Sequence, residues 1–233
     1  MFKRSPVLKY ESILEEYPNI LSTAKSIMPE WYKKIPKWKN DEMFTFGVGI
    51  NKTLKQCLPF MDSLSCGYIV TLPYDIYIHQ NDGSPYLAWN DKVSNPPGCR
   101  EAIADPNLLP FGHSPIEYTW NPCVSFEVPK GYNILIVHPL NRHDLPFTTL
   151  SGIIDGGFVT QPNGNFPFYI KEGFEGVIKQ GTPIFQIIPF KKEGWKSQMT
   201  KGLIQIGLKN TKSSNLVFNG WYKNNFWTRK DYQ

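Results

Sequence analysis

Residues 151–190 open with Ser151-Gly152-Ile153-Ile154-Asp155-Gly156-Gly157-Phe158 and close with Gly181-Thr182-Pro183-Ile184-Phe185-Gln186-Ile187-Ile188-Pro189-Phe190. The first segment is a short apolar run that carries one carboxylate into a Gly-Gly turn. The second is a tight turn entering an apolar run with a single polar residue, Gln186. Between them, 166–170 and 176–178 are two more apolar runs set off by Gly, Asn and Glu. Apolar runs of this length bounded by turn residues predict β-strands. An Asp placed before Gly-Gly either caps its own turn or projects into a cleft as a base or hydroxyl acceptor. A Gln inside an apolar strand has to find hydrogen-bond partners, often a neighbouring backbone.

The same pattern extends outward. Strand signals recur at 44–50, 67–73, 75–79, 86–89, 116–122, 124–128, 132–138, 152–154, 158–160, 184–189, 202–208 and 216–221. Asn81-Asp82-Gly83-Ser84 predicts a hairpin turn between two of them. Residues 91–115, rich in Pro, Gly and Asn, predict a long loop. No strand–helix alternation is present, which argues against a doubly wound fold. The expected fold class is mainly β, a mixed sheet with a short N-terminal helical arm. That arm rests on Ile13, Leu14, Tyr17, Ile20, Leu21, Ala24 and Ile27, which recur at helical spacing. Pro18 should break the helix and Pro29 should end it. Beyond it, Trp31, Tyr32, Ile35, Pro36 and Trp38 interleave with Lys33, Lys34, Lys37 and Lys39. Such a segment either stacks on nucleic acid or packs its rings on the domain while its lysines reach water. The expected organisation is an arm over 1–43, a β-rich core over 44–210 and an aromatic, basic tail over 211–233.

Composition bounds the function. Of 233 residues, 41% are hydrophobic and 15% aromatic, with 20 Pro and 18 Gly, the balance of aromatic strands cut by many turns. Charge is segregated. Residues 1–60 hold 10 Lys and Arg against 6 Asp and Glu, 61–170 hold 4 against 10, and 171–233 hold 11 against 4. Basic ends suit nucleic acid or an acidic partner surface, or they fold back beside the acidic middle. No apolar run approaches a membrane span, and no signal peptide follows Met1-Phe2-Lys3-Arg4. Cys57, Cys66, Cys99 and Cys123 lie far apart, with no zinc-ligand spacing, so free thiols and an intracellular setting are expected. Gly47-Val48-Gly49-Ile50-Asn51-Lys52-Thr53 has the wrong spacing for a phosphate loop. His138, near Arg142 and His143, either lines a polar site or ends a strand beside a polar loop.

The segment Gly152, Ile154, Asp155, Phe158, followed by Gly181, Ile184, Gln186, resembles the third and fourth motifs of the dUTPase and dCTP deaminase superfamily, whose core is the β-clip. Val128-Pro129-Lys130-Gly131-Tyr132 is similar to the turn before that family's phosphate motif. The resemblance implies a β-clip-like core in which Asp155 orients or activates water, Phe158 lies against a deoxyribose and Gln186 braces its strand. It also implies nucleotide as ligand, with Mg2+. His138-Pro139-Leu140 stands where the enzymes carry an Arg-Ser-Gly phosphate motif, and their glycine-rich C-terminal arm is missing. Lys130, Arg142 or His138 would then have to supply the phosphate contacts.

A second resemblance rests on Pro29-Glu30-Trp31-Tyr32-Lys33-Lys34-Ile35-Pro36, Lys55-Gln56-Cys57-Leu58-Pro59-Phe60-Met61-Asp62, Pro129-Lys130-Gly131-Tyr132, Phe166-Pro167-Phe168 and Gly181-Thr182-Pro183-Ile184. These are similar to a family of uncharacterised proteins common in tailed phages. It implies a non-enzymatic virion or partner-binding protein, in the host cytoplasm or the virion, and β-clip resemblance adds a homo-oligomer. Nucleotide and nucleic acid remain the competing partners.

Overall fold

The computed structural model describes residues 5–39, 42, 44–45, 49–50, 52–100, 111–216 and 220–233. Its strands are β1 (Lys9–Ser12), β2 (Leu21–Thr23), β3 (Phe44–Thr45), β4 (Gly49–Ile50), β5 (Tyr68–Thr71), β6 (Ile76–Asn81), β7 (Ser84–Ala88), β8 (Gly98–Cys99), β9 (His113–Trp120), β10 (Val124–Glu127), β11 (Tyr132–Val137), β12 (Phe147–Thr149), β13 (Gly152–Asp155), β14 (Phe166–Lys171), β15 (Gly176–Ile178) and β16 (Pro183–Lys191). The α-helices are α1 (Glu30–Lys34), α2 (Leu58–Ser65), α3 (Leu203–Leu216) and α4 (Trp221–Asn225).

Strand β16 organises the fold. Pro183, Ile184, Phe185, Gln186 and Ile187 are all buried, as a strand covered on both faces must be. It pairs with β11 on one side and β5 on the other, in a sheet of order β13-β11-β16-β5-β2. A four-stranded sheet runs β12-β14-β9-β8, and a three-stranded one β15-β6-β7. One apolar core joins them. The Trp120 and Phe168 rings stack at 3.5 Å, Phe147 meets Trp120 edge-on, and Phe166 and Phe126 lie against Phe185. Each such ring buried contributes about 1.5–3 kcal/mol. Gly67 sits where a Cβ would fall 2.0 Å from the Ile187 carbonyl oxygen, at φ +69°, so only glycine fits the approach of β5 to β16.

Several expectations are corrected. Every strand pairing among the described residues is antiparallel, so the sheets are not mixed. The turn-rich connections lack the long crossovers that parallel pairs require. The N-terminal region is not the expected helix–break–helix. Its residues form β1, which pairs with β10, and β2, which pairs with β5, followed by a single 3-10 turn over Ala24–Ile27 and the short α1. Available sheet edges outcompete a helix interrupted by Pro18. Within 44–50, β3 and β4 pair antiparallel with each other rather than forming one strand. Residues 158–160 form no strand, although the Thr160 N–H donates to the Phe126 carbonyl. The expected strands at 202–208 and 216–221 are instead α3 and the start of α4, so far as they lie among the described residues. Leu203–Leu208 alternates like a strand but meets no sheet edge, and a helix satisfies its backbone alone. Gly47, Val48 and Asn51 of the Gly47–Thr53 segment lie outside the described residues.

Candidate functional site

The predicted site residues fall at the two ends of β11. Its register places Asn133 opposite Asp155 and Val137 opposite Gln186, so the two positions stand four residues apart along the strand, roughly 13 Å.

At one end lies Asp155, the last residue of β13, an edge strand. Its side chain is 72% exposed and forms an ion pair with Lys192, Nζ to Oδ1 2.9 Å. With the Asn133 amide turned so that its nitrogen faces the acceptors, that nitrogen donates to Asp155 Oδ1 at 3.2 Å and to the Tyr132 carbonyl at 2.9 Å. The turn that follows is fixed by backbone bonds from Gly156 N–H to the Tyr132 carbonyl and from Gly157 N–H to the Val128 carbonyl. A Cβ on Gly156 would fall 2.2 Å from the Tyr132 oxygen and 2.4 Å from the Pro129 oxygen. The Lys130 side chain lies over Gly157. Lys130 thus lies over the turn that joins Asp155 to the exposed Phe158. A cavity of about 270 Å³ beside this turn is lined by Tyr68, Pro129, Tyr132, Phe190, Lys191 and Tyr232, among others, and not by Asp155 or Phe158.

At the other end, Gln186 is a brace. Its Oε1 accepts from the Leu140 N–H at 2.9 Å, and its Nε2 donates to the Cys66 carbonyl at 2.6 Å and the Ser63 carbonyl at 3.2 Å. It thus ties the end of α2 to the turn after β11. His138 sits in that turn with both ring nitrogens engaged: Nδ1 accepts from the Thr149 N–H at 3.3 Å, and Nε2 donates to the Arg142 carbonyl at 3.0 Å. Only the neutral imidazole makes both bonds. Burial holds its pKa below the ordinary value, against the pull of the Arg142 carbonyl. Arg142 grips Asp144 through two parallel bonds of 2.9 Å, and the guanidinium beside it helps hold that carboxyl low even though burial pushes the other way. Thr149 Oγ1 accepts from Trp120 Nε1 and donates to the Ile184 carbonyl. These groups are committed to one another in an interlocked turn.

A single carboxylate already paired with Lys192 is not the donor set that Mg2+ takes from a protein. Among the described residues no three His, Cys, Asp or Glu side chains are grouped to hold a metal ion, and no helix is long and apolar enough to cross a membrane.

Sequence reading missed a long exposed segment that carries large apolar side chains. The chain leaves the sheet at Lys191, and every residue from 191 to 209 is exposed. Trp195 is 88% exposed, Met199 97% and Ile204 76%. The chain then returns: Trp227 Nε1 and Lys230 Nζ both reach Asp62 Oδ2 at 2.8 Å, and Tyr232 packs edge-on against Tyr68. Seven of the nine described apolar or aromatic side chains between 195 and 226, namely Trp195, Met199, Leu203, Ile204, Ile206, Leu208 and Phe226, are more than half exposed. No family model matches the chain, and no curated protein matches it either.

Proposed function

We propose that this chain is a non-enzymatic protein of the phage type, a structural or partner-binding component whose β-clip-like domain presents an arm, residues 192–216, to another protein. The observation that carries this reading is the arm itself. Large apolar side chains clustered on a projecting segment mark a protein-binding surface, and Trp and Met are enriched where interfaces are buried. Helix α3 supports it further. Leu203, Ile204, Ile206 and Leu208 lie within its first six residues and are all more than half exposed, an apolar cluster left open at the start of an otherwise mostly polar helix.

The competing reading is a nucleotide enzyme or binder centred on Asp155. Its support is Lys130, which lies over the turn that joins Asp155 to the exposed ring of Phe158. Against it stands the separation of this group from Gln186, His138 and Arg142, whose polar atoms hold the fold. A panel of dNTPs and NTPs with Mg2+, read by melting temperature and by pyrophosphate release, decides between the two. A ligand of the folded state raises the melting temperature. The assembly reading expects no shift and no turnover at millimolar nucleotide. A shift or turnover that disappears in Asp155→Asn would replace it with the nucleotide reading.

A further inference from the structure

We propose that residues 227–233 form a releasable strap over a ring-lined cavity, that Asp62 holds the strap down, and that the cavity beneath takes a single aromatic group. This inference does not depend on what the arm binds.

The strap is gripped by side chains. Asp62 stands on α2, whose end Gln186 ties to β16 through the Ser63 and Cys66 carbonyls, so its carboxylate has a fixed place. Its Oδ2 accepts from Trp227 Nε1 and from Lys230 Nζ, both at 2.8 Å. Lys230 also lies over the Trp227 ring, 5.7 Å from its centroid. The Asp62 side chain is only 16% exposed, so its bond to the ammonium is screened less than that of a fully exposed pair. Past Lys230, Tyr232 meets the Tyr68 ring edge-on with centroids 5.8 Å apart, and the Tyr68 hydroxyl donates to the Gln233 carbonyl at 3.2 Å. The backbone adds nothing to this grip: no backbone-to-backbone hydrogen bond joins 228–233 to any other described residue. The connector that leads to the strap is exposed throughout 191–209. A segment outside every ladder, held by a few side chains, opens at a lower free energy than the sheets it lies on.

The strap covers something definite. Asp231 and Tyr232 form one wall of the cavity of about 270 Å³, and Tyr68, Tyr132 and Phe190 line the others. Its two charged lining residues, Lys191 and Asp231, are already paired with Glu193 and Arg229, so the cavity offers rings rather than a free charge. A cavity of about 150 Å³ is enough for benzene, and this one has room for a two-ring group such as an indole. Rings favour such a guest through stacked and edge-to-face contacts. Lifting the strap removes the Tyr232 wall and opens the cavity at Lys191, the root of the arm.

Nitrogen–proton NMR spectra of the full chain, with free indole as the probe, test both halves of the proposal. The seven tryptophans each give one indole N–H signal, and Trp227→Phe identifies that of Trp227 by its loss. In Asp62→Ala this signal should move to the position of an unbonded indole. In Asp62→Asn it should move part of the way, because the amide oxygen still accepts from Trp227 while the charge that holds Lys230 is gone. A guest admitted only by the open state binds the natural chain more weakly by the fraction open, so added indole should shift the backbone amides of Tyr68, Tyr132 and Phe190 at about ten-fold lower concentration in Asp62→Ala than in the natural chain. Should Asp62→Ala loosen α2, Trp227→Phe with Lys230→Gln removes the same two bonds from the strap side. A Trp227 signal that stays in place in Asp62→Ala, amides that respond equally in the natural chain and the variant, or amides that respond in neither would each overturn the proposal.

Discussion

Replacing Gln186 with Met isolates what this buried amide does. Gln186 is 1% exposed, and Met preserves its length and volume while offering no donor and almost no acceptor. The substitution orphans the Leu140 N–H and the Cys66 carbonyl, and weakens the partnering of the Ser63 carbonyl, which keeps a 3.5 Å contact from Cys66 Sγ. A buried polar group left without its partner costs about 1–3 kcal/mol. Two such groups, one in a half-buried turn that water partly reaches, give about 2–4 kcal/mol, a large share of a typical stability of about 5–15 kcal/mol. At about 2–4 °C per kcal/mol for a chain of this size, melting should fall by about 5–15 °C. Thermal unfolding followed by circular dichroism measures it. Gln186→Glu is the sharper control. One oxygen still accepts from Leu140, but the other faces the Cys66 and Ser63 carbonyls, so the group must be protonated to donate. Its folded pKa then lies above the ordinary carboxyl value of about 4.3; the folded state binds the extra proton, and stability recovers as pH falls from 7 toward 5. A Met variant melting within about 2 °C of the natural chain, or a Glu variant with no recovery in acid, would refute the assignment of Gln186 as a brace.

The His138 imidazole is held neutral by burial, with its pKa below the ordinary 6.5. The unfolded chain therefore takes up the proton first, and the stability His138 supports is intact above about pH 6.5 and lost as pH falls below it; urea midpoints from pH 8 to 5 should decline, and His138→Asn should flatten that decline. Gly156→Ala forces a methyl against the Tyr132 and Pro129 carbonyl oxygens, 2.2 and 2.4 Å away; overpacking of this kind costs about 1–3 kcal/mol, so melting should drop by several degrees. Asp155→Asn removes only an exposed ion pair, worth about 0–1 kcal/mol, and should leave the melting temperature within about 2 °C, which separates its part in the fold from any part in chemistry.

The strands were legible where apolar runs end at turn residues. Gly176–Ile178 is found at the residues expected, and the Ser84–Ala88 return strand follows the Asp82-Gly83 turn as read. Gln186 was legible as a residue in need of backbone partners, though not as the link between Cys66 and Leu140, because those partners come from distant segments. Register explains the site. Asp155 and Gln186 are separated by strands that pair with the same β11, and which end each meets depends on pairing that a list of runs does not contain. Lys192 and Asn133 beside Asp155 were missed for the same reason. The arm was misread because Ile204, Ile206 and Leu208 alternate with Gln205 and Gly207, a period-two pattern that holds a strand only where a neighbouring strand exists. The N-terminal misreading is the reverse: Tyr17, Ile20, Leu21 and Ala24 have helical spacing, but Leu21–Thr23 lies where β5 offers an edge.

The most direct measurement of the central claim is amide hydrogen exchange across Leu203–Leu216 in the full chain. Alone in water this helix is weak: it is 14 residues long, near the length below which isolated helices are marginal, and Gly207, Thr211 and two serines lower its propensity further. If the arm is a docking element left open for a partner, its amides should exchange within the first seconds in the free chain while the β-sheets stay protected. Protection of this segment to the level of the β-sheets would show it covered by the chain itself and would contradict the account.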